Sequence, residues 1–94
     1  MPLLPDEEVD RALAGDLSAW SRDGDSLTRT VKAPTFLDGV TLVQRVAEAA
    51  EAMNHHPDID IRYTSLTFTL STHSEGGLTT NDLDLARRID ELVR

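Results

Sequence analysis

Residues 55–73, HHPDIDIRYTSLTFTLSTH, decide the fold of this 94-residue chain. Hydrophobic side chains occupy every second position on both sides of a short connection near residues 64–65: Ile59, Ile61 and Tyr63 before it, Leu66, Phe68 and Leu70 after it. Such alternation is typical of strands with one buried face. We therefore predict two neighbouring antiparallel strands, the second over residues 66–72.

A long helix is predicted before this hairpin. Thr35 is a good N-cap, and Pro57 disfavours helical backbone at His56, so the helix should end near Met53 or Asn54. Hydrophobic residues three and four positions apart predict its buried stripe. The stripe consists of Phe36, Val40, Val43, Ala47 and Ala50, widened by Leu37, Leu42 and Val46.

Three further elements complete the layout. An acidic first turn after Pro5 and a stop at Gly15 predict a short first helix, and Asp23-Gly24 predicts a hairpin turn. Residues 79–82, TTND, have the form of a capping box that starts a last helix. The expected fold is α+β: a four-stranded antiparallel sheet with helices packed on one face, in the order helix, hairpin, helix, hairpin, helix. We expect residues 1–94 to form one domain.

Composition excludes several classes of function. The net charge is −8 and the basic residues are scattered, which disfavours binding to nucleic acid or anionic lipid. No apolar run approaches the roughly 20 residues of a membrane span. The N-terminus lacks the basic start of a signal peptide, and the chain has no cysteine for a disulfide or thiolate site. A cytoplasmic location is expected.

All three histidines, His55, His56 and His73, lie within 19 residues. The predicted hairpin runs up one strand and down the next, which should return His73 to the level of the other two. Histidine titrates near neutral pH, and neighbouring histidines disfavour double protonation. Such a cluster can supply one acid and one base for proton-transfer catalysis.

Other interpretations of these residues stay open. A metal site is the main alternative, but adjacent histidine side chains diverge and no typical zinc spacing is present, so we predict no metal. Glu51 could orient a histidine or be a solvated helix carboxylate. Trp20 could stack on a flat ligand or belong to the core, and Asp82 fits a cap residue better than a catalyst.

Several segments together resemble pterin-4a-carbinolamine dehydratases. Residues 51–58, EAMNHHPD, are similar to the Glu-x-x-x-His-His-Pro-acid segment of that family, and residues 66–73, LTFTLSTH, to its alternating strand ending in Thr-His. The segment GLT at residues 77–79, followed by Asp82, resembles its helix entry, and Trp20 resembles a tryptophan before its first strand.

The resemblance implies a lyase that dehydrates 4a-hydroxytetrahydrobiopterin to quinonoid dihydropterin, without a metal or other cofactor, in pterin recycling. It places His55, His56 and His73 in the active site. It also implies that the pterin site is lined or held by Glu51, Trp20, Pro57, Thr72 and Asp82. Family members form dimers by strand pairing and some form tetramers by helix packing, so a homodimer or homotetramer is expected.

A non-catalytic protein-binding module, such as a dimerisation cofactor or an assembly scaffold, is the alternative function on the same fold. A scaffold should have lost the histidines, and this chain has all three. Adding 4a-hydroxytetrahydropterin and following its dehydration distinguishes the two functions.

Overall fold

The computed structural model describes residues 2–94. Three helices and four strands follow one another in the predicted order. They are α1 (Asp6–Ala14), β1 (Ser21–Asp23), β2 (Ser26–Lys32), α2 (Phe36–Met53), β3 (Asp58–Arg62), β4 (Ser65–Leu70) and α3 (Thr80–Val93). The α+β fold with a four-stranded antiparallel sheet is confirmed.

The strands lie in the order β1-β2-β4-β3, and every neighbouring pair is antiparallel. The regular strand predicted at residues 66–72 is β4, which ends two residues earlier, at Leu70, and lies inside the sheet between β2 and β3. The sheet edges are therefore β1 and β3. Tyr63 takes a left-handed φ of 52° in the two-residue turn between β3 and β4.

The core forms on the face of the sheet that the helices cover. Leu66, Phe68 and Leu70 of β4 are fully buried, while Thr67 and Thr69 between them face the other side and are half-buried. Each buried leucine or phenylalanine contributes about 2 kcal/mol relative to exposure. The alternation in the sequence thus decides which face of β4 meets the helices.

Thr35 caps α2 as predicted, because its hydroxyl accepts a hydrogen bond of 3.1 Å from the Asp38 N–H. The predicted buried stripe is wrong in its first half: Phe36 is 48% exposed, Leu37 74% and Val40 40%. Gly39 is buried in their place. A Cβ built on Gly39 would lie 3.5 Å from side-chain atoms of Ala33 and Leu66. The helix therefore lies close against the sheet at its smallest residue.

Further along α2, Val46 and Ala50 are buried as predicted, and Leu42 and Val43 are partly buried. Ala47, which was also predicted in the stripe, is exposed. The helix ends at Met53, and Asn54 follows in the left-handed conformation with φ of 51°. Gly24 makes the predicted hairpin turn with φ of 60°. Among residues 2–94, no helix has the length and hydrophobicity that crossing a bilayer requires.

Candidate active site

The Asp82 carboxylate lies at the centre of the candidate site. Asp82 is the third residue of α3 and is completely buried. The predicted capping box with Thr79 is confirmed: the Thr79 N–H donates to Asp82 Oδ2 at 2.9 Å. This bond fixes one carboxylate oxygen and leaves Oδ1 directed at another group. Asp82, expected from the sequence as a cap residue, therefore has a second oxygen that the cap does not use.

His55 supplies the donor for that oxygen. Its Nε2 lies 2.6 Å from Asp82 Oδ1, and its side chain is 10% exposed. An ionised carboxylate can only accept hydrogen bonds, so with Asp82 ionised this pair requires the imidazole proton on Nε2. The other ring nitrogen, Nδ1, is then free to accept a proton from another group.

Two threonine hydroxyls extend the network. Thr72 Oγ1 donates to Asp82 Oδ2 at 2.7 Å and lies 2.8 Å from Thr79 Oγ1. Since the single hydroxyl proton of Thr72 goes to the carboxylate, the Thr79 hydroxyl donates to Thr72. Both threonines are buried, so this chain of hydrogen bonds is shielded from water and is correspondingly strong.

Strand register explains why Thr72 and His55 meet. Asp58 pairs with Thr69 across β3 and β4. Extending this antiparallel register by three positions places Thr72 level with His55, where Asp82 bridges the two side chains. The hairpin thus places His55 level with Thr72, the residue before His73, and the Asp82 carboxylate hydrogen bonds to both.

His56 has a different environment from its neighbour. The left-handed conformation of Asn54 turns the chain away from the helix axis, and His56 Nε2 hydrogen bonds to Glu51 Oε2 in the last turn of α2. Both side chains are mostly exposed. Glu51 is thus the hydrogen-bond partner of the exposed His56.

His73 begins a short 3₁₀ helix, His73–Glu75, just beyond β4, and is exposed. Gly76 ends this turn in the left-handed conformation with φ of 72°. Thr72 and Gly77 form an isolated bridge below it. Thus the last histidine sits on a tight loop whose first anchor, Thr72, belongs to the Asp82 network.

Trp20 lies apart from the histidines. It is buried in the core, and its indole N–H donates to Asp90 Oδ1 at 2.8 Å, an oxygen that also pairs with Arg29. Asp90 is eight residues after Asp82 on α3, a separation of about 12 Å along a helix.

Pro57 connects His56 to β3 and is half-buried.

Thr79 was not among the site residues expected from the sequence. It was predicted only as part of a capping box, yet its hydroxyl and its N–H both belong to the network around Asp82. The capping-box pattern was the signal that could have identified it, because that pattern places the Thr79 backbone against the carboxylate.

The fold and the site define a small α+β protein in which a buried helix-cap carboxylate holds one of the three histidines. The chain belongs to the pterin 4 alpha carbinolamine dehydratase family, whose model matches residues 2–92. It is 61% identical over 92 residues to a protein of Nocardia farcinica, covering 98% of this chain and 96% of the relative. It is 58% identical over 93 residues to one of Mycobacteroides abscessus, covering 99% and 98%. Both relatives are named provisionally as pterin-4-alpha-carbinolamine dehydratases.

Two solved structures share the fold. A transcriptional coactivator/pterin dehydratase from Brucella melitensis superposes with a TM-score of 0.93 at 30% identity, covering 98% of this chain and 99% of that one. A pterin dehydratase-like protein described as a RuBisCO assembly factor of the alpha-carboxysome gives 0.66 at 19% identity, covering 79% and 86%. The second similarity concerns the fold alone.

Proposed function

We propose that this protein dehydrates a 4a-hydroxytetrahydropterin to the quinonoid dihydropterin. In this elimination the C4a–O bond breaks, the hydroxyl leaves as water after gaining a proton, and N5 loses its proton as the C4a=N5 bond forms. The reaction needs one acid and one base that work at the same pH. The single observation that supports it best is the Asp82 carboxylate, which joins His55 to Thr72 beside His73.

The proposed division of roles follows the environments of the histidines. His55, with Nε2 held by Asp82, offers Nδ1 as one proton-transfer atom, and the exposed His73 is the other proton-transfer group. His56, which hydrogen bonds to Glu51, helps to bind and polarise the pterin. A positioned acid or base of this kind accelerates a reaction by about 10²- to 10⁴-fold.

The remaining expected site residues have supporting roles in this proposal. Thr72 and Asp82 are buried and act by holding His55 and the base of the His73 loop. Pro57 sets the direction in which the chain leaves His56. Trp20 would support the site through the core, since its indole is buried and hydrogen bonded to Asp90.

A direct assay tests the proposal. 4a-Hydroxytetrahydropterin, generated in situ, is added to the purified protein and its dehydration is followed by absorbance. We expect a rate well above the spontaneous reaction, and a return to the spontaneous rate when His55, His56 and His73 are all replaced by alanine. A triple variant that folds and retains the parent rate would refute histidine catalysis and favour the protein-binding alternative.

We also propose that the protein assembles into a homodimer or homotetramer. The edge strand β3 has one unpaired side, and Ile61 on it is 41% exposed, so pairing of two β3 edges would extend the sheet. The apolar residues at the start of α2, Leu37 among them, offer a second contact.

Light scattering distinguishes these contacts. If both contacts are used, Ile61→Glu and Leu37→Glu should each halve the mass of a tetramer; in a dimer, only one of them should produce monomer. Ser18→Glu, an exposed position between α1 and β1, is the control and should leave the mass unchanged. A parent chain that is monomeric at micromolar concentration would contradict the proposal.

A further inference from the structure

The loop that presents His73 is closed at its base by one pair of residues. The Thr72 N–H donates to the Gly77 carbonyl at 2.8 Å, and the Gly77 N–H donates to the Thr72 carbonyl at 3.4 Å. Only residues 73–76 lie between them, and Gly76 takes a left-handed φ of 72°. The position of His73 therefore depends on how firmly Thr72 and Gly77 are held.

The two sides of this base are held by different parts of the chain. Thr72 follows β4 and donates to the buried Asp82 carboxylate. Gly77 is contacted by the segment before α1: a Cβ built on Gly77 would lie 3.1 Å from Leu3 Cδ2. One residue further on, the Leu4 N–H donates to the Leu78 carbonyl at 2.9 Å.

The N-terminal segment is itself anchored. Leu4 packs partly buried against the core, and Asp6 at the start of α1 forms an ion pair of 2.9 Å with Arg22. The Arg22 Nε–H donates to the Gly24 carbonyl in the β1–β2 turn. The backbone carbonyl of Asp25, the next residue in that turn, accepts a hydrogen bond of 2.8 Å from the Ser71 hydroxyl just before the loop.

We propose that Leu3 and Leu4 are positioning residues for His73: they form a strap that fixes the Gly77 side of the loop base. This inference rests on the proposed dehydratase function. Proton transfer requires donor and acceptor atoms within about 2.6–3.2 Å, so a small shift of an exposed loop is enough to slow it. In this proposal the strap acts through the loop base and not on the substrate itself.

Two variants test the strap. Leu3→Ala removes the contact with Gly77 at a side chain that is already 52% exposed, so the fold should be preserved. A shortened chain, in which Met1 is joined directly to Pro5, removes the Leu4–Leu78 hydrogen bond as well. Ser18→Ala truncates an exposed side chain between α1 and β1, away from the strap, and is the control.

The readouts are the imidazole ¹H–¹⁵N spectrum, which contains only three histidines, and the dehydratase kcat and KM. We expect the His73 signals to shift or broaden in both variants while those of His55 stay in place. The kcat should fall on the order of tenfold in the shortened chain and less in Leu3→Ala, with KM little changed. Ser18→Ala should match the parent in all three.

Unchanged His73 signals in Leu3→Ala and in the shortened chain would overturn the strap. So would an equal fall in kcat in Ser18→Ala, because the effect would then not belong to the loop base. A parent chain without dehydratase activity would instead overturn the proposed function, and the imidazole spectra would still decide whether the strap positions His73.

Discussion

His55 Nε2 lies 2.6 Å from Asp82 Oδ1, although the two residues are separated by 27 positions in the chain. The same carboxylate accepts hydrogen bonds from Thr72 and from the backbone of Thr79. Asp82 therefore has two functions at once: it caps α3 and it fixes the ring orientation of His55. Stability of the last helix and geometry of the candidate site are coupled through one buried side chain.

Replacing Asp82 with asparagine should separate these two functions. The amide keeps one oxygen for the cap but lacks the charge and the second acceptor that hold the Nε2 proton of His55. We expect kcat to fall on the order of 100-fold with a much smaller change in KM. Steady-state dehydration kinetics measure kcat and KM, and far-UV circular dichroism confirms that α3 remains folded.

Asp84→Asn is the matched control, since Asp84 lies two residues further along α3 with an exposed side chain paired to Arg87. It should retain the parent kcat. An Asp82→Asn variant that is folded and equally active would show that His55 does not need the carboxylate.

Single alanine variants of the three histidines should affect different kinetic constants. Because His55 and His73 are proposed to transfer protons, each alanine variant should lower kcat by at least about 100-fold. His56→Ala should act mainly on KM, since His56 is proposed to bind the pterin. Kinetics over a range of pterin concentrations separate the two effects; a His56 variant with a large loss of kcat and an unchanged KM would reverse the assignment.

Trp20→Phe should affect stability rather than substrate binding. The indole N–H donates to Asp90, and the ring is packed in the core, so phenylalanine loses the hydrogen bond and some volume. We expect the free energy of unfolding to decrease by about 2 kcal/mol with KM unchanged. Urea denaturation followed by circular dichroism measures the first quantity. A several-fold rise in KM at unchanged stability would place the tryptophan in the pterin site after all.

Loss of the two helix caps should have unequal effects. Thr79→Val removes a buried hydroxyl that donates to Thr72, whereas Thr35→Val removes an exposed hydroxyl that accepts from Asp38. We expect the first to cost about 2 kcal/mol of folding free energy and the second about 1 kcal/mol. Only Thr79→Val should also reduce kcat, because only Thr79 belongs to the Asp82 network. Equal kinetic effects of the two substitutions would argue against that connection.

Much of this protein was determined by local sequence. Alternation at residues 66–70 predicts the buried face of β4, Thr35 predicts the start of α2, and TTND at residues 79–82 predicts the start of α3. The β3–β4 hairpin was also predictable, because alternating apolar residues flank a short turn, and a hairpin of known rise returns the chain towards its starting level. These features depend on neighbours a few positions apart, which is the range over which backbone geometry acts.

Tertiary structure decided the rest. Spacing placed Phe36 and Leu37 in the buried stripe of α2, but the helix approaches Leu66 of the sheet through Gly39, which leaves both side chains exposed. The partner of Asp82 was decided in the same way. A capping box predicts the bond to Thr79, but Oδ1 meets His55 only because the sheet places the end of α2 and the start of α3 side by side. Contacts between residues distant in sequence depend on how whole elements pack, and no local pattern encodes that.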